Sequence, residues 1–369
     1  MKKLGFGLMR MPLLNPDDDS SVDVEKVKEM VDLFMNRGFT YFDTAYVYDN
    51  GGSERALREA LVKRHPRDSF TLATKLPSFM LRQKSDIERI FNESLENLGT
   101  DYIDFYLLHN VNSGSIKTYD AMDCWTWLEE LGKSGRAHHV GFSFHDTPEM
   151  LDKVLTDHPF VHFVQLQINY IDWEAEKVRS RECLEIARKH GKPVVVMEPV
   201  KGGMLASLPA SARAVFDALD PNASNASYAI RYVASQPGIF MVLSGMSTLD
   251  QMKDNTSFME EFEPLNDAEF QAVANVVGVL NGIPRVPCTA CRYCCDGCPM
   301  QINIPAMISL LNNVRIYGNT PQVLDGYDFQ KGDGGDVWDC IGCGQCEGAC
   351  PQHLEVPVYL AELSAAMGK

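Results

Sequence analysis

Over roughly the first 265 residues, short apolar runs alternate with longer segments whose apolar positions recur every three or four residues. The runs are residues 5–9, 39–44, 70–75, 102–109, 138–144, 162–169, 193–198 and 239–244. They are rich in branched and aromatic side chains and are mostly continuous, the pattern of strands covered on both faces of a parallel sheet. Eight such strands with intervening helices predict an α/β fold, a (β/α)8 TIM barrel. Helices are expected at 22–37, 53–63, 85–98, 121–132, 147–156, 177–190, 224–235 and 249–260, and a further one at 266–280 ends before Gly282 and Pro284. The segment 85–98 is the clearest. Ser85 with Glu88 reads as a capping box, Ile87, Ile90, Phe91, Ser94, Leu95 and Leu98 trace one stripe, and Gly99 supplies the stop. The segment 249–260 has no strong stripe.

The pattern changes after residue 282. We therefore expect two domains, a barrel over 1–282 and a mainly helical domain over 283–369 whose helices lie near 304–314 and 321–327. Large apolar residues read as sparse between 283 and 340, so folding there is expected to be coupled to metal. Cys288, Cys291, Cys294 and Cys298-Pro299 form one run, and Cys340, Cys343, Cys346 and Cys350-Pro351 repeat its spacing. This C-x2-C-x2-C-x3-C-P spacing resembles bacterial [4Fe-4S] ferredoxins, in which the fourth cysteine normally ligates the other cluster. The resemblance implies two [4Fe-4S] clusters, one held by Cys288, Cys291, Cys294 and Cys350, the other by Cys340, Cys343, Cys346 and Cys298. Paired C-x2-C also serves zinc, but zinc has no need of two successive C-x2 intervals in duplicate. Cys295 is a spare, and Cys124 and Cys183, in helical segments, read as packing residues.

The strand ends of a barrel carry its active site. Asp43 and Tyr48 follow the second strand, and Lys75 and His109 end the third and fourth. Alone, each has a structural explanation. Together they suit one reaction: a carbonyl taking up hydride needs a proton, which a tyrosine supplies if its pKa falls. An ammonium at Lys75 favours phenolate at Tyr48, the Asp43 carboxylate holds that ammonium charged, and His109 orients the carbonyl.

These residues make the chain resemble the aldo-keto reductase family. Phe42-Asp43-Thr44-Ala45-Tyr46-Val47-Tyr48, continued by Gly52-Ser53-Glu54, is similar to its first signature; Lys75 and His109 match its other catalytic positions. With the cysteine runs, the chain resembles the ferredoxin-containing branch. The resemblance implies NAD(P)H, with Ser143, Gln167 and Asn255 touching nicotinamide or adenosine and Ser244 and Gly245 cradling phosphate. Met197, beside Pro199, falls where the family commonly stacks an aromatic ring, Phe144 replaces an amide, and Gln251 stands where a basic residue often grips a 2'-phosphate. Gly202, in Gly202-Gly203, allows close backbone approach to phosphate.

A net charge of −16 argues against nucleic acid. No run approaches the about 18 apolar residues of a membrane span, and the interrupted apolar N-terminus does not read as an export signal, so a cytoplasmic protein is expected. The expected function is reduction of a small carbonyl, or oxidation of the alcohol, by NAD(P)H in the barrel, with two clusters for electron transfer and a redox partner protein. Hydride moves two electrons and a cluster one. This leaves three alternatives: a flavin joins them, the barrel is a scaffold for an electron carrier, or the clusters are structural.

Overall fold

The computed structural model is described here for residues 1–15, 18, 20–176 and 178–369. Eight parallel strands close into a barrel in sequence order: β1 Leu4–Gly7, β2 Tyr41–Asp43, β3 Thr71–Pro77, β4 Ile103–Val111, β5 Ala137–Phe144, β6 Phe163–Gln167, β7 Val194–Met197 and β8 Ile239–Ser244. All eight expected strands are present; β2, β6 and β7 are shorter than the apolar runs, whereas β3, β4 and β5 continue beyond them at one end.

The period of two within each strand explains how the barrel makes a site. Tyr41, Ala73, Phe105, Leu107, Phe163, Val195, Met241 and Leu243 form one packed apolar cluster inside it. Two residues further along the same strands, and so on the same face, stand Asp43, Lys75, His109, Gln165 and Met197. The apolar layer is the floor on which this polar layer rests. Gly141 is part of the fit, because a Cβ there would lie 2.4 Å from the Phe163 carbonyl oxygen. The register between β4 and β5 shifts between Leu108 and Val111, where Asn110 takes φ 59°. Such an irregularity re-aims neighbouring side chains.

The helix Ser85–Leu98 has the expected limits, and Gly99 ends it in the left-handed conformation at φ 70°. The capping box does not form. Asp86 instead accepts from the backbone of Arg82 and Gln83 at 2.8 and 2.9 Å, while Glu88 accepts from Trp127 Nε1 at 3.0 Å and Arg136 Nη1 at 2.6 Å. Leu249–Met259 lacks a clean stripe because its buried face carries Asn255 and Thr256 beside Met252 and Met259. The helix expected at 177–190 spans Ser180–Lys189, and position 177 lies outside the described residues.

By compactness the chain divides into Met1–Val200 with Ala226–Asp267, and Lys201–Asn225 with Ala268–Lys369. In the second unit the helices Ile304–Tyr317 and Val356–Ala366 pack together. The first buries Ile304, Met307, Ile308, Leu310, Leu311, Ile316 and Tyr317. Large apolar residues are therefore less sparse than expected, being concentrated on one helix. The helices Ala210–Asp217 and Val356–Ala366 were not foreseen.

The cysteine repeat extends beyond the cysteines. Cys298-Pro299, Ile302, Ile304-Pro305, Ile308 and Leu311 recur in the same spacing as Cys350-Pro351, Leu354, Val356-Pro357, Leu360 and Leu363. The backbone repeats as well. Ala290 and Gly342 take φ 56° and 67°, Arg292 and Gly344 take 69° and 73°, and Gln301 and His353 take 54° and 52°. Left-handed residues at matching places show that each loop needs the same turns, with glycine at two of the six positions.

Candidate active site

Lys75 and Asp43 are both buried, and Lys75 Nζ donates to Asp43 Oδ1 at 2.6 Å and to the Thr44 carbonyl at 2.7 Å. Burial disfavours the ammonium, but Asp43 and Tyr48 outweigh it and hold the Lys75 pKa above its ordinary value. Burial also raises Asp43, against the pull of Lys75. The second oxygen, Asp43 Oδ2, is buried with no hydrogen-bond partner.

Tyr48 sits at the head of the turn Tyr48–Gly51, where Asp49, Asn50 and Gly51 all have positive φ. Three left-handed residues in succession reverse the chain sharply, so that the half-buried Tyr48 ring lies over the polar layer. Lys75 Nζ stands 4.8 Å from the ring centroid, and His109 meets the ring edge-on with centroids 5.8 Å apart. Burial pushes the Tyr48 phenol up more than Lys75 pulls it down. This differs from the lowered pKa expected above, because desolvation of the phenolate exceeds the attraction of an ammonium already paired with Asp43. The phenol thus keeps its proton near neutral pH and is poised to donate it.

His109 is pushed down to about 3 by burial, Lys75 and His145, so it is a neutral imidazole. Its Nδ1 is buried without a partner, and its main-chain carbonyl accepts from the Tyr119 hydroxyl at 2.7 Å. His145, just beyond β5, escaped the sequence reading; only its place after Ser143-Phe144 signalled it.

On the far wall, the Ser143 hydroxyl accepts from the Asn110 amide at 2.7 Å, leaving its own proton free to donate. Ser143 is paired in register with Gln165, whose Oε1 is buried without a partner and whose Nε2 approaches Met197 Sδ at 3.7 Å. Gln167, the glutamine expected to face the cofactor, donates instead to Asp172 Oδ2 at 2.9 Å. Gln165 faces the polar layer; it was missed because both glutamines lie on the same strand face and only their depth separates them. Asn169 joins the Asp172 cluster at 2.8 Å and donates to the Glu198 carbonyl at 3.1 Å, gripping a residue held at φ 59°. Glu198 lies between Met197, which is half-buried, and Pro199, which is buried.

At the end of β8, Asn255 Nδ2 donates to Ser244 Oγ at 2.7 Å, both side chains being buried. Gly245 follows Ser244, and Gln251 Oε1 accepts from the Ser247 amide at 2.7 Å where the helix Leu249–Met259 begins. Gly202 falls in the second compact unit, at φ 63°.

That unit gathers the cysteines into two cavities. One is lined by Cys288, Cys291, Cys294 and Cys350, with Pro305, Ile308 and Leu354; the other by Cys298, Cys340, Cys343 and Cys346, with Ile302, Ile304 and Leu360. Each cavity takes three cysteines from one run and the fourth from the other. None of the eleven cysteines is joined in a disulfide. Among the described residues no three His, Cys, Asp or Glu side chains stand close enough to hold one metal ion. Burial pushes the Cys294 thiol up to about 12. Cys124 and Cys183 are buried and are likewise pushed up to about 12, which fits packing residues.

A closed parallel barrel with polar residues at its strand ends, followed by two cysteine-lined cavities, defines an oxidoreductase that carries iron–sulfur. Residues 3–277 match the aldo/keto reductase family and residues 287–354 match the 4Fe-4S dicluster domain. The chain belongs to the aldo/keto reductase family. It is 26% identical over 287 residues to "Uncharacterized oxidoreductase YqkF" of Bacillus subtilis, covering 69% of this chain and 86% of that protein. It is 28% identical over 275 residues to an aldo-keto reductase of Mycolicibacterium vanbaalenii, covering 74% and 88%. The holo form of aldo-keto reductase AKR11C1 from Bacillus halodurans superposes with TM-score 0.59 at 25% identity, covering 74% of this chain and 91% of that one. Among the described residues no helix is long and apolar enough to cross a membrane.

Proposed function

We propose that the barrel reduces a small carbonyl compound with NAD(P)H, or oxidises the corresponding alcohol, and that the cysteine cavities hold two [4Fe-4S] clusters that exchange electrons with a partner protein. The catalytic unit is read as residues 1–282 and the cluster unit as 283–369. The convergence of Tyr48, Lys75, Asp43 and His109 on one polar layer carries the first half of this reading.

A bound nicotinamide supplies or accepts the hydride. Tyr48 donates its proton to the carbonyl oxygen as charge builds there. Lys75 stabilises the phenolate left behind and is itself held charged by Asp43, so the group that pays for the proton transfer is in place beforehand. Neutral His109 orients the carbonyl. Ser143 and Gln165 offer one free donor and one free acceptor on paired strand positions, which fits a carboxamide substituent and assigns to Gln165 the place first given to Gln167. Met197 and Pro199 supply an apolar wall. Ser244, Gly245, Gln251 and Asn255 lie around the start of a helix, whose amides favour phosphate, and the absence of a cation at Gln251 leaves a 2'-phosphate without its usual partner.

In the cysteine unit, four thiols around each cavity and no three close enough for a single ion favour a cluster over zinc. Anaerobic purification with iron and sulfide analysis, an absorption spectrum after denaturation and steady-state turnover of simple aldehydes with NADH and NADPH test the reading. Near eight irons per chain and aldehyde reduction are expected. Flavin released on denaturation, or no nicotinamide-dependent turnover, overturns it.

A further inference from the structure

The internal repeat carries every residue lining the cavity of Cys288, Cys291 and Cys294 onto one lining the cavity of Cys340, Cys343 and Cys346. Most of the matched pairs keep their chemistry: Pro305 falls on Pro357, and Ile308 on Leu360. The loops also share their backbone turns, so the two cavities differ chiefly in side chains.

Three pairs differ in kind. Thr289, Arg292 and Gln352 line the first cavity, where the second has Ile341, Gly344 and Met300. Each side chain of the first set can donate a hydrogen bond and one is a cation, whereas none of the second set can donate. The same bias continues in the adjoining sequence. Pro287 precedes Cys288 where Asp339 precedes Cys340, so segment 287–294 carries one cation and no acid, and segment 339–346 one acid and no cation. Asp296 and Glu347 fall one in each run and do not separate them.

Arg292 is held in place. Its Nη1 donates to Asn303 Oδ1 at 3.3 Å, and Asn303 Nδ2 is anchored on the Gln330 carbonyl at 2.8 Å. That partner is a neutral amide, and Arg292 makes no ion pair among the described residues, so its charge stays uncompensated. Its backbone takes φ 69°, which costs a residue with a Cβ about 1–2 kcal/mol. Gly344, at φ 73°, meets the same turn without that cost.

The potential of an iron–sulfur cluster follows the charge around it, the hydrogen bonds to its sulfurs and its exposure. A cation and donors stabilise the added electron, and an acid and apolar walls oppose it. We infer that the two cavities hold clusters of unequal potential, with Arg292 setting the order: the cluster beside Arg292 takes the first electron and the one beside Gly344 the second. The inference rests on the two-cluster reading above. In each step a one-electron donor is oxidised and a single cluster is reduced. A unit charge several ångströms from a cluster biases its occupancy by about tenfold at the effective dielectric of a protein surface, and tenfold is about 59 mV for one electron.

The test is a potentiometric titration of the anaerobic holoprotein with dithionite and redox mediators, followed by EPR. Two one-electron waves should appear, separated by about tenfold or more in occupancy. Arg292→Gly should lower the upper wave about tenfold and Gly344→Arg should raise the lower one, while Arg292→Lys keeps the gap. Added salt should narrow the gap, because Arg292 is exposed. Cys350→Ser should remove the upper wave. Coincident waves in the unaltered protein, or Arg292→Gly moving the lower wave or neither, overturn the inference alone. If Arg292→Gly fails to retain iron, Gly344→Arg decides, and an unmoved lower wave overturns it. Iron for one cluster or none in the unaltered protein overturns the two-cluster reading and the inference with it.

Discussion

The barrel and the cysteine unit prepare their chemistry in opposite ways. In the barrel the charged groups are already partnered by protein: Lys75 is held by Asp43 and Thr44, and Tyr48 is fixed between Lys75 and His109. In the cysteine unit eight cysteines line two cavities and are arranged around space rather than around protein partners. A site built from side-chain contacts is complete in the folded chain. One built around a cavity gains much of its order from what fills it.

The sharpest way to break this contrast is to empty the cavities. Stripping iron anaerobically should abolish amide-exchange protection in Ile304–Tyr317 and Val356–Ala366 while β2 to β7 stay protected; equal loss in both units would erase the distinction. Cys350→Ser should disable the cavity of Cys288, Cys291 and Cys294 and spare the other, as read by iron content and EPR. An effect confined to the cavity of Cys340, Cys343 and Cys346 would refute the crossed grouping.

Next in size is Tyr48→Phe, which should lower kcat by about 10²–10⁴-fold with cofactor binding little changed. Lys75→Met leaves Asp43 buried and unpaired and should cost about 3–5 kcal/mol in denaturant unfolding. Adding Asp43→Leu should recover most of that stability and none of the turnover, separating the pair's structural from its chemical role.

A smaller effect concerns acid. The fold holds His109 near 3, below its ordinary value of 6.5, so the unfolded chain binds the extra proton first. Its contribution to stability is full above about pH 6.5 and is lost as pH falls toward 3. His109→Gln should flatten that part of the stability profile. Smallest is the loop backbone: Gly344→Arg should be tolerated at a cost of about 1–2 kcal/mol, since Arg292 occupies the matching left-handed position.

The two regions also differ in how far their sequences could be read. All eight strands were legible because burial on both faces leaves continuous apolar runs. Asp43, Tyr48, Lys75 and His109 were legible because each ends or follows such a run. Depth along a strand was not legible, which is why Gln167 was preferred to Gln165. Nor was the balance of burial against charge at Tyr48, since it depends on Lys75 already being paired. In the cysteine unit the likeness to ferredoxins suggested the crossed grouping, and the two cavities are lined by the same two sets of cysteines. The helix Val356–Ala366 was overlooked because Val358, Ala361, Ala365 and Ala366 blur the stripe of Val356, Leu360 and Leu363, although its likeness to the start of Ile304–Tyr317 was there to be seen.

The exchange of one cysteine between the two runs has a consequence for biosynthesis. Cys288, Cys291 and Cys294 emerge from the ribosome long before Cys350, so the cavity they begin stays open until the second run has been made. Neither half of the repeat is a self-sufficient module. On the proposed reading, cofactor loading has to wait for translation to pass Cys350, and a chain interrupted between the runs would reach the cell's quality control with no complete site.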